Sequence, residues 1–233
     1  MRVAIVTVGD ELLSGDIENT NATWLCARLS DRGVDVARVT TISDDVATIA
    51  RVVNEYRAEY DAVIVTGGLG PTHDDVTMEA VAAAFGRSLA QDPEAVEWLE
   101  SEGGYSAADL TDGTADLPSG ARMIPNEEGV APGAALESVY VLPGVPDEMK
   151  AMFERIESAF DGTPKYTTTV EADEPESALV DRLIELRDRF GVTVGSYPGG
   201  TVRVKITADS PSVAEEAAAW LADRVTHPES AGE

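Results

Sequence analysis

The residues best suited to chemistry in this chain are two adjacent carboxylates behind a glycine-rich turn. They lie in Thr66-Gly67-Gly68-Leu69-Gly70-Pro71-Thr72-His73-Asp74-Asp75-Val76-Thr77. Gly67, Gly68 and Gly70 permit positive φ and close approach of a ligand to the backbone. A turn of this kind at the start of a helix presents N–H groups to a phosphate. Carboxylates would repel a phosphate, so their presence beside the turn suggests a cation between them. The segment points to nucleotide or phosphorylated-pterin chemistry. No Lys-Ser/Thr pair follows the glycines, which excludes a P-loop. Pro71 suits the first helical position and Thr72 with Asp75 resembles a capping pair. Asp75 therefore has a structural duty open to it as a complement to the helix dipole. Asp74 has none, because capping needs one carboxylate. Thr77 either back-bonds within the helix or contacts a phosphate.

Two further acidic clusters follow strand-like runs. In Gly9-Asp10-Glu11-Leu12-Leu13-Ser14-Gly15, Asp10 and Glu11 can reach a ligand or a magnesium-like ion, or simply open a turn. In Ser43-Asp44-Asp45 one aspartate suffices as an N-cap and the other can face a cleft. Asn19 and Asn21 either cap the helix they begin or reach the site, with capping the first reading. The two histidines, His73 and His227, lie far apart, so neither a histidine metal site nor a Ser-His-Asp triad is supported. The single cysteine, Cys26, shares a helical face with Ala22 and Leu29 and reads as a small buried hydrophobe.

The elements that must position these groups alternate in type. Strands are expected at Val3–Val8, Val34–Ile42, Ala62–Thr66, Ala121–Ile124 and Val139–Leu142. Helices are expected over Asn19–Arg32, Val46–Tyr60, the stretch after the glycine turn to about Phe85, Glu94–Gly103 and Asp147–Phe160. Gly104–Ser119 has no clear period. The alternation predicts an α/β fold, a three-layer αβα sandwich on a mostly parallel sheet with right-handed crossovers. Ligands bind such sheets beyond the carboxyl ends of the strands, and that is where all three acidic loops emerge. Asp161-Gly162-Thr163-Pro164 marks a boundary. Residues 1–162 form the first domain, 163–227 a small α+β accessory or dimerisation domain, and 228–233 a polar tail. The second domain reads strand Tyr166–Val170, helix Glu174–Phe190, strands Val192–Ser196 and Val202–Ala208 joined by a hairpin, and helix Pro211–Arg224.

Charge narrows the partners. Against 17 Lys and Arg stand 43 Asp and Glu, a net charge of −26, and only Lys150, Lys165 and Lys205 are lysines. Without a basic cluster, nucleic acid is not an expected partner. An evenly acidic, lysine-poor chain with 43% hydrophobic residues fits a high-salt organism. No apolar run approaches a membrane span and the first strand does not read as a signal peptide, so a cytoplasmic location is expected.

Taken together, Gly9–Gly15, Asn19-Thr20-Asn21, Asp44-Asp45, the Thr66–Thr77 segment and Leu142-Pro143-Gly144-Val145-Pro146-x-Glu148-Met149 resemble the MoaB/Mog molybdopterin-binding family. They resemble more closely the N-terminal region of the competence/damage-inducible CinA proteins. Pro125-Asn126 with Gly129-x-Ala131-Pro132-Gly133 extends the likeness, as do Glu176-Ser177 and Val194–Pro198. In the Mog branch the resemblance implies molybdopterin binding and adenylylation with magnesium-ATP. In the CinA branch it implies metal-dependent hydrolysis of an ADP-ribose pyrophosphate, without the deamidase domain that CinA proteins add. The Gly-Leu-Gly-Pro-Thr-x-Asp-Asp form favours the second. On that reading Gly67, Gly68, Gly70, Thr72, Thr77, Pro143 and Gly144 bind phosphate and ligand. Asp10, Asp44, Asp74 and Asp75 supply ligands to Mg²⁺, Mn²⁺ or Co²⁺, and Asp74, Asp44 and Glu11 act in catalysis. Molybdopterin is the ligand of the alternative reading, and a non-catalytic binding or scaffold role is the third. Proteins of this type are expected to be homo-oligomers, dimers or trimers.

Overall fold

The computed structural model describes residues 1–70, 75–101 and 113–228. It divides into two compact units, Met1–Ser30 with Val34–Gly162, and Asp31–Gly33 with Thr163–Glu233. The first unit runs β1 (Arg2–Val8), α1 (Asp10–Ser14), α2 (Thr20–Asp31), β2 (Asp35–Ile42), α3 (Val46–Glu59), β3 (Ala62–Thr66) and α4 (Thr77–Ala84). It continues through β4 (Leu89–Gln91), α5 (Pro93–Ser101), β5 (Asp116–Pro118), β6 (Arg122–Ile124), β7 (Gly133–Leu136), β8 (Val139–Leu142) and α6 (Pro146–Ile156).

Six strands form one sheet in the order β2-β1-β3-β8-β7-β6. β2, β1, β3 and β8 are parallel, while β7 and β6 close the sheet antiparallel. Alternation along the central strands makes the three layers. Ala4, Val6, Val8, Val63 and Val65 face one core with Ile49, Val52, Val53 and Tyr56 of α3. Val3, Ile5 and Ile64 face the other, with Leu25 and Leu29 of α2 and Met149, Met152 and Phe153 of α6. Strands covered on both faces read as continuous apolar runs, as β1 and β3 do. Each such side chain contributes about 1.5–3 kcal/mol through burial. Among the described residues no helix is long and apolar enough to cross a membrane.

The glycine turn departs from expectation in one respect. α4 opens at Thr77, with Val76 flanking it and no side-chain cap, and the expected helix start at Pro71 lies outside the described residues. The Thr77 amide instead donates to the Gly68 carbonyl at 3.3 Å, closing the loop on itself. Gly67 and Gly68, at φ 120° and 58°, supply the left-handed backbone this requires. Asp75 therefore stands ahead of the helix and not in its first turn. β4, β5 and β7 were not expected, and part of the stretch without clear period falls outside the described residues.

The second unit is β9 (Tyr166–Ala172), α7 (Glu176–Phe190), β10 (Thr193–Pro198), β11 (Val202–Ala208) and α8 (Pro211–Ala222). Its antiparallel sheet has the order β10-β11-β9. Val170, Val204 and Ile206 pack with Leu179, Leu186, Trp220 and Leu221 in a core of their own. Arg182 ties the ends together: its guanidinium donates to both carboxylate oxygens of Glu174 and to the Ala178 and Arg224 carbonyls, and Glu174 also accepts the Thr226 amide.

Candidate functional site

The carboxyl ends of β1, β2, β3 and β8 open on one cavity of about 590 Å³. Four loops form its wall. After β3 come Gly67, Gly68, Leu69 and Gly70, then Asp75; after β8 come Pro143 and Gly144. The two loops are bonded side by side. The Gly67 amide donates to the Leu142 carbonyl at 3.2 Å, and the Thr66 hydroxyl donates to the Pro143 carbonyl at 2.6 Å. A Cβ on Gly67 would strike the Val8 carbonyl, and one on Gly144 would sit 3.4 Å from the Gly67 Cα. Both glycines let backbone approach backbone.

The paired aspartates after β2 divide their work. Asp45 is the N-cap of α3, accepting the Thr48 amide at 2.8 Å. Hydrogen bonds from Thr48, through its hydroxyl first and its amide second, hold the Asp45 carboxyl below the ordinary carboxylate range. Asp44 turns to the cavity, where its Oδ2 accepts the Asp10 amide at 2.9 Å. Asp10 itself is exposed and lies off the cavity wall, so the group it brings to the site is its backbone N–H. The reason is local: Asp10 opens the short helix α1, and Glu11, the next residue, is the one that lines the cavity.

Gly68 is the meeting point of three groups. A Cβ there would lie 3.5 Å from Asp44 Oδ1, 2.7 Å from Thr77 Oγ1 and 3.7 Å from the Asp75 Cα. Thr77 is fully buried behind the turn, and its hydroxyl has no hydrogen-bond partner among the described residues. The Asp75 carboxylate lies against Gly70, 2.7 Å from where a Cβ would be. Among the described residues no group of three His, Cys, Asp or Glu could hold a metal ion by itself. Thr72 and Asp74 lie outside the described residues. Of the other expected site residues, Glu11, Asp44, Asp75, Gly67, Gly68, Gly70, Pro143 and Gly144 share the wall, Thr77 stands behind it and Asp10 beside it.

Asn21, for which the sequence left the site open beside capping, and Glu148, which it did not assign, also line the cavity. Asn19 caps α2, its Oδ1 accepting the Ala22 amide at 3.0 Å. Asn21 does not cap; its Nδ2 donates to the Gly144 carbonyl at 2.7 Å, and its buried Oδ1 has no partner among the described residues. Glu148 lines the far wall, with Oε2 accepting from Nδ2 of the fully buried Asn126 at 2.8 Å. The only sequence signal for Glu148 was its position inside a motif. Leu12, Ile17, Val130 and Val145 add apolar surface to the wall, beside the polar Glu18 and Thr20.

Residues 4–161 match the family described as a probable molybdopterin binding domain. The chain belongs to that family. A protein of Archaeoglobus fulgidus is 41% identical over 209 residues, 89% of this chain and 90% of that one. A CinA-like protein of Frankia casuarinae is 38% identical over 246 residues, 92% of this chain and 55% of its own length. The chain thus spans about half of that relative. The crystal structure of CinA from Thermoplasma acidophilum, described as of unknown function, is similar with a TM-score of 0.63 at 36% identity, over 68% of this chain and 97% of that one. These matches bear out the resemblance drawn from the motifs, in both family and fold.

Proposed function

We propose that the cleft hydrolyses the pyrophosphate of a nucleotide such as ADP-ribose with the help of a divalent cation. The observation that carries this reading is the placement of the Asp44 and Asp75 carboxylates beside the left-handed Gly67–Gly68 turn. Amides in such a turn attract phosphate and carboxylates repel it, so the two belong together only around a cation. Magnesium takes one or two carboxylates and completes its shell with phosphate oxygens and water. Asp44 and Asp75 fit that requirement without a third protein carboxylate, and Asp74, next in sequence, would add to it. When bound, Mg²⁺, Mn²⁺ or Co²⁺ would neutralise charge on the pyrophosphate and acidify a water. Glu11 is the wall residue suited to orient that water and accept its proton. The water oxygen bonds to phosphorus, the bridging P–O bond breaks, and AMP and ribose 5-phosphate leave. The apolar wall around Leu12, Ile17 and Val130 suits a heterocycle.

The test is AMP release from ADP-ribose with each metal, at the high salt that the net charge of −26 recommends. Turnover that disappears on chelation is expected, and Asp74→Asn should abolish it with little change in stability. Folded protein that turns over nothing in any metal contradicts the reading. The match to a molybdopterin-binding domain favours a second reading, molybdopterin binding with adenylylation in the same cleft. Titration with molybdopterin and ATP against ADP-ribose separates the two.

A further inference from the structure

Asn21 and Glu148 stand on the cavity wall with acceptor oxygens that the phosphate chemistry does not use. The Asn21 amino group faces two acceptors. It donates to the Gly144 carbonyl at 2.7 Å and to Thr66 Oγ1 at 3.3 Å, whose own proton goes to the Pro143 carbonyl. Only the Nδ2 end of an amide can meet two acceptors, so the carbonyl end is fixed as well. That Oδ1 is buried and has no partner among the described residues. Glu148 is held from behind. Nδ2 of the fully buried Asn126 donates to its Oε2 at 2.8 Å and to the Ala131 carbonyl at 3.0 Å. A Cβ on Gly129 would collide with both Glu148 Oε2 and Asn126 Nδ2, so the pair fills the space a side chain would need.

We propose that these two acceptors read the vicinal 2′- and 3′-hydroxyls of a ribose, so that the cleft selects ribonucleotides over their deoxy forms. The proposal rests on the reading of the cleft as a nucleotide site. A phosphate oxygen donates nothing, so the group that the glycine turn attracts satisfies neither Asn21 Oδ1 nor the Glu148 carboxylate. Two acceptors call for two donors, and a ribose diol supplies them side by side. Acidic side chains take ribose hydroxyls in this way in dinucleotide sites. Placement separates the sugar from the base. Asn21 is bonded to Gly144, and a Cβ on Gly144 would sit 3.4 Å from the Gly67 Cα of the turn. The Asn21 side chain thus stands next to the phosphate turn, and in a 5′-nucleotide one methylene separates phosphate from ribose. The base would lie a sugar further on, against Leu12, Ile17 and Val130.

Isothermal titration of the full chain with AMP, 2′,3′-dideoxy-AMP and IMP, in Mg²⁺ at high salt, tests this. Wild type should hold AMP about 10-fold or more tighter than the dideoxy analogue, the loss expected when hydrogen bonds to buried or charged acceptors go. IMP lacks the 6-amino group but keeps the diol, and should bind within about threefold of AMP. Glu148→Ala and Asn21→Ala each delete one acceptor and should each close most of the gap between AMP and the dideoxy analogue, with circular dichroism to confirm folding. Wild type that holds the two alike or holds neither, a preference that follows the 6-amino group instead, or a gap that survives either substitution would overturn the proposal. Binding is read apart from turnover. Protein that prefers the diol yet hydrolyses nothing contradicts only the pyrophosphatase reading, and turnover of ADP-ribose without that preference contradicts only this one.

Discussion

The two units of this protein use the same materials to opposite effect. Each packs helices on a sheet around its own apolar core, and each places a glycine in left-handed backbone. In the first, four parallel strands send their carboxyl ends to one side, so loops from distant parts of the chain meet there. In the second, antiparallel neighbours send successive ends to opposite sides, and among the described residues no comparable set of acidic loops gathers. Gly67 shapes the wall of the cavity, whereas Gly191 ends α7 as an αL cap. The difference is one of topology: parallel order concentrates chemistry at one edge, and antiparallel order leaves a sheet edge and a helix face.

Substitution of those two glycines gives the largest expected contrast. Gly67→Ala combines φ 120° with a collision against the Val8 carbonyl, so it should cost about 3 kcal/mol and abolish turnover. Gly191→Ala has the strained φ but open space around the Cβ and should cost about 1 kcal/mol with turnover intact. Urea unfolding of both variants measures this, and equal losses would break the comparison.

Asn126→Ala probes the polar support behind the first unit's far wall. It strips a fully buried partner from the Glu148 carboxylate and the Ala131 carbonyl, so about 2 kcal/mol of stability should go, with a raised KM for the nucleotide. An unchanged KM would remove Glu148 from the account of ligand binding.

The matching probe in the second unit is Arg182→Ala, expected to cost about 1–2 kcal/mol at neutral pH and leave kcat unchanged. The Arg182 hydrogen bonds, followed by the Thr226 amide, hold the Glu174 carboxyl below its usual value. Its stabilising contribution is therefore present above the pKa of an unfolded glutamate and is lost as pH falls through the lower folded value. Unfolding free energies across that acid range should converge for wild type and Arg182→Ala; curves that stay parallel would contradict the ion-pair assignment. The smallest effect is expected at Cys26, whose thiol burial pushes up, so Cys26→Ala should leave turnover unchanged.

Much of the first unit was legible because its signals are local. β3 is a run of apolar residues with the expected ends, and α3 has its buried face at Ile49, Val52, Val53 and Tyr56. What could not be read depends on contacts far apart in sequence. Either Asp44 or Asp45 suffices as a cap, and only the Asp10 amide, 34 residues away, shows which one turns to the cleft. Asn21 reads as a helix start until the Gly144 carbonyl, 123 residues on, claims its amide. β7, Gly-Ala-Ala-Leu, has no β-branched residue and is a strand because β8 and β6 pair with it on either side. The start of α4 was misplaced because the Gly68 carbonyl, and not a side chain, receives its first amide.

On the proposed function, the Asp44 carboxylate facing the glycine turn serves a cation-dependent ligand, while its neighbour Asp45 serves only the helix. Titration of ADP-ribose into wild type, Asp44→Asn and Asp45→Asn, each with and without Mg²⁺, tests it most directly. Asp45→Asn should bind as wild type does, with affinity raised by Mg²⁺, and Asp44→Asn should lose the Mg²⁺-dependent gain. Equal Mg²⁺ responses in the two variants would contradict it.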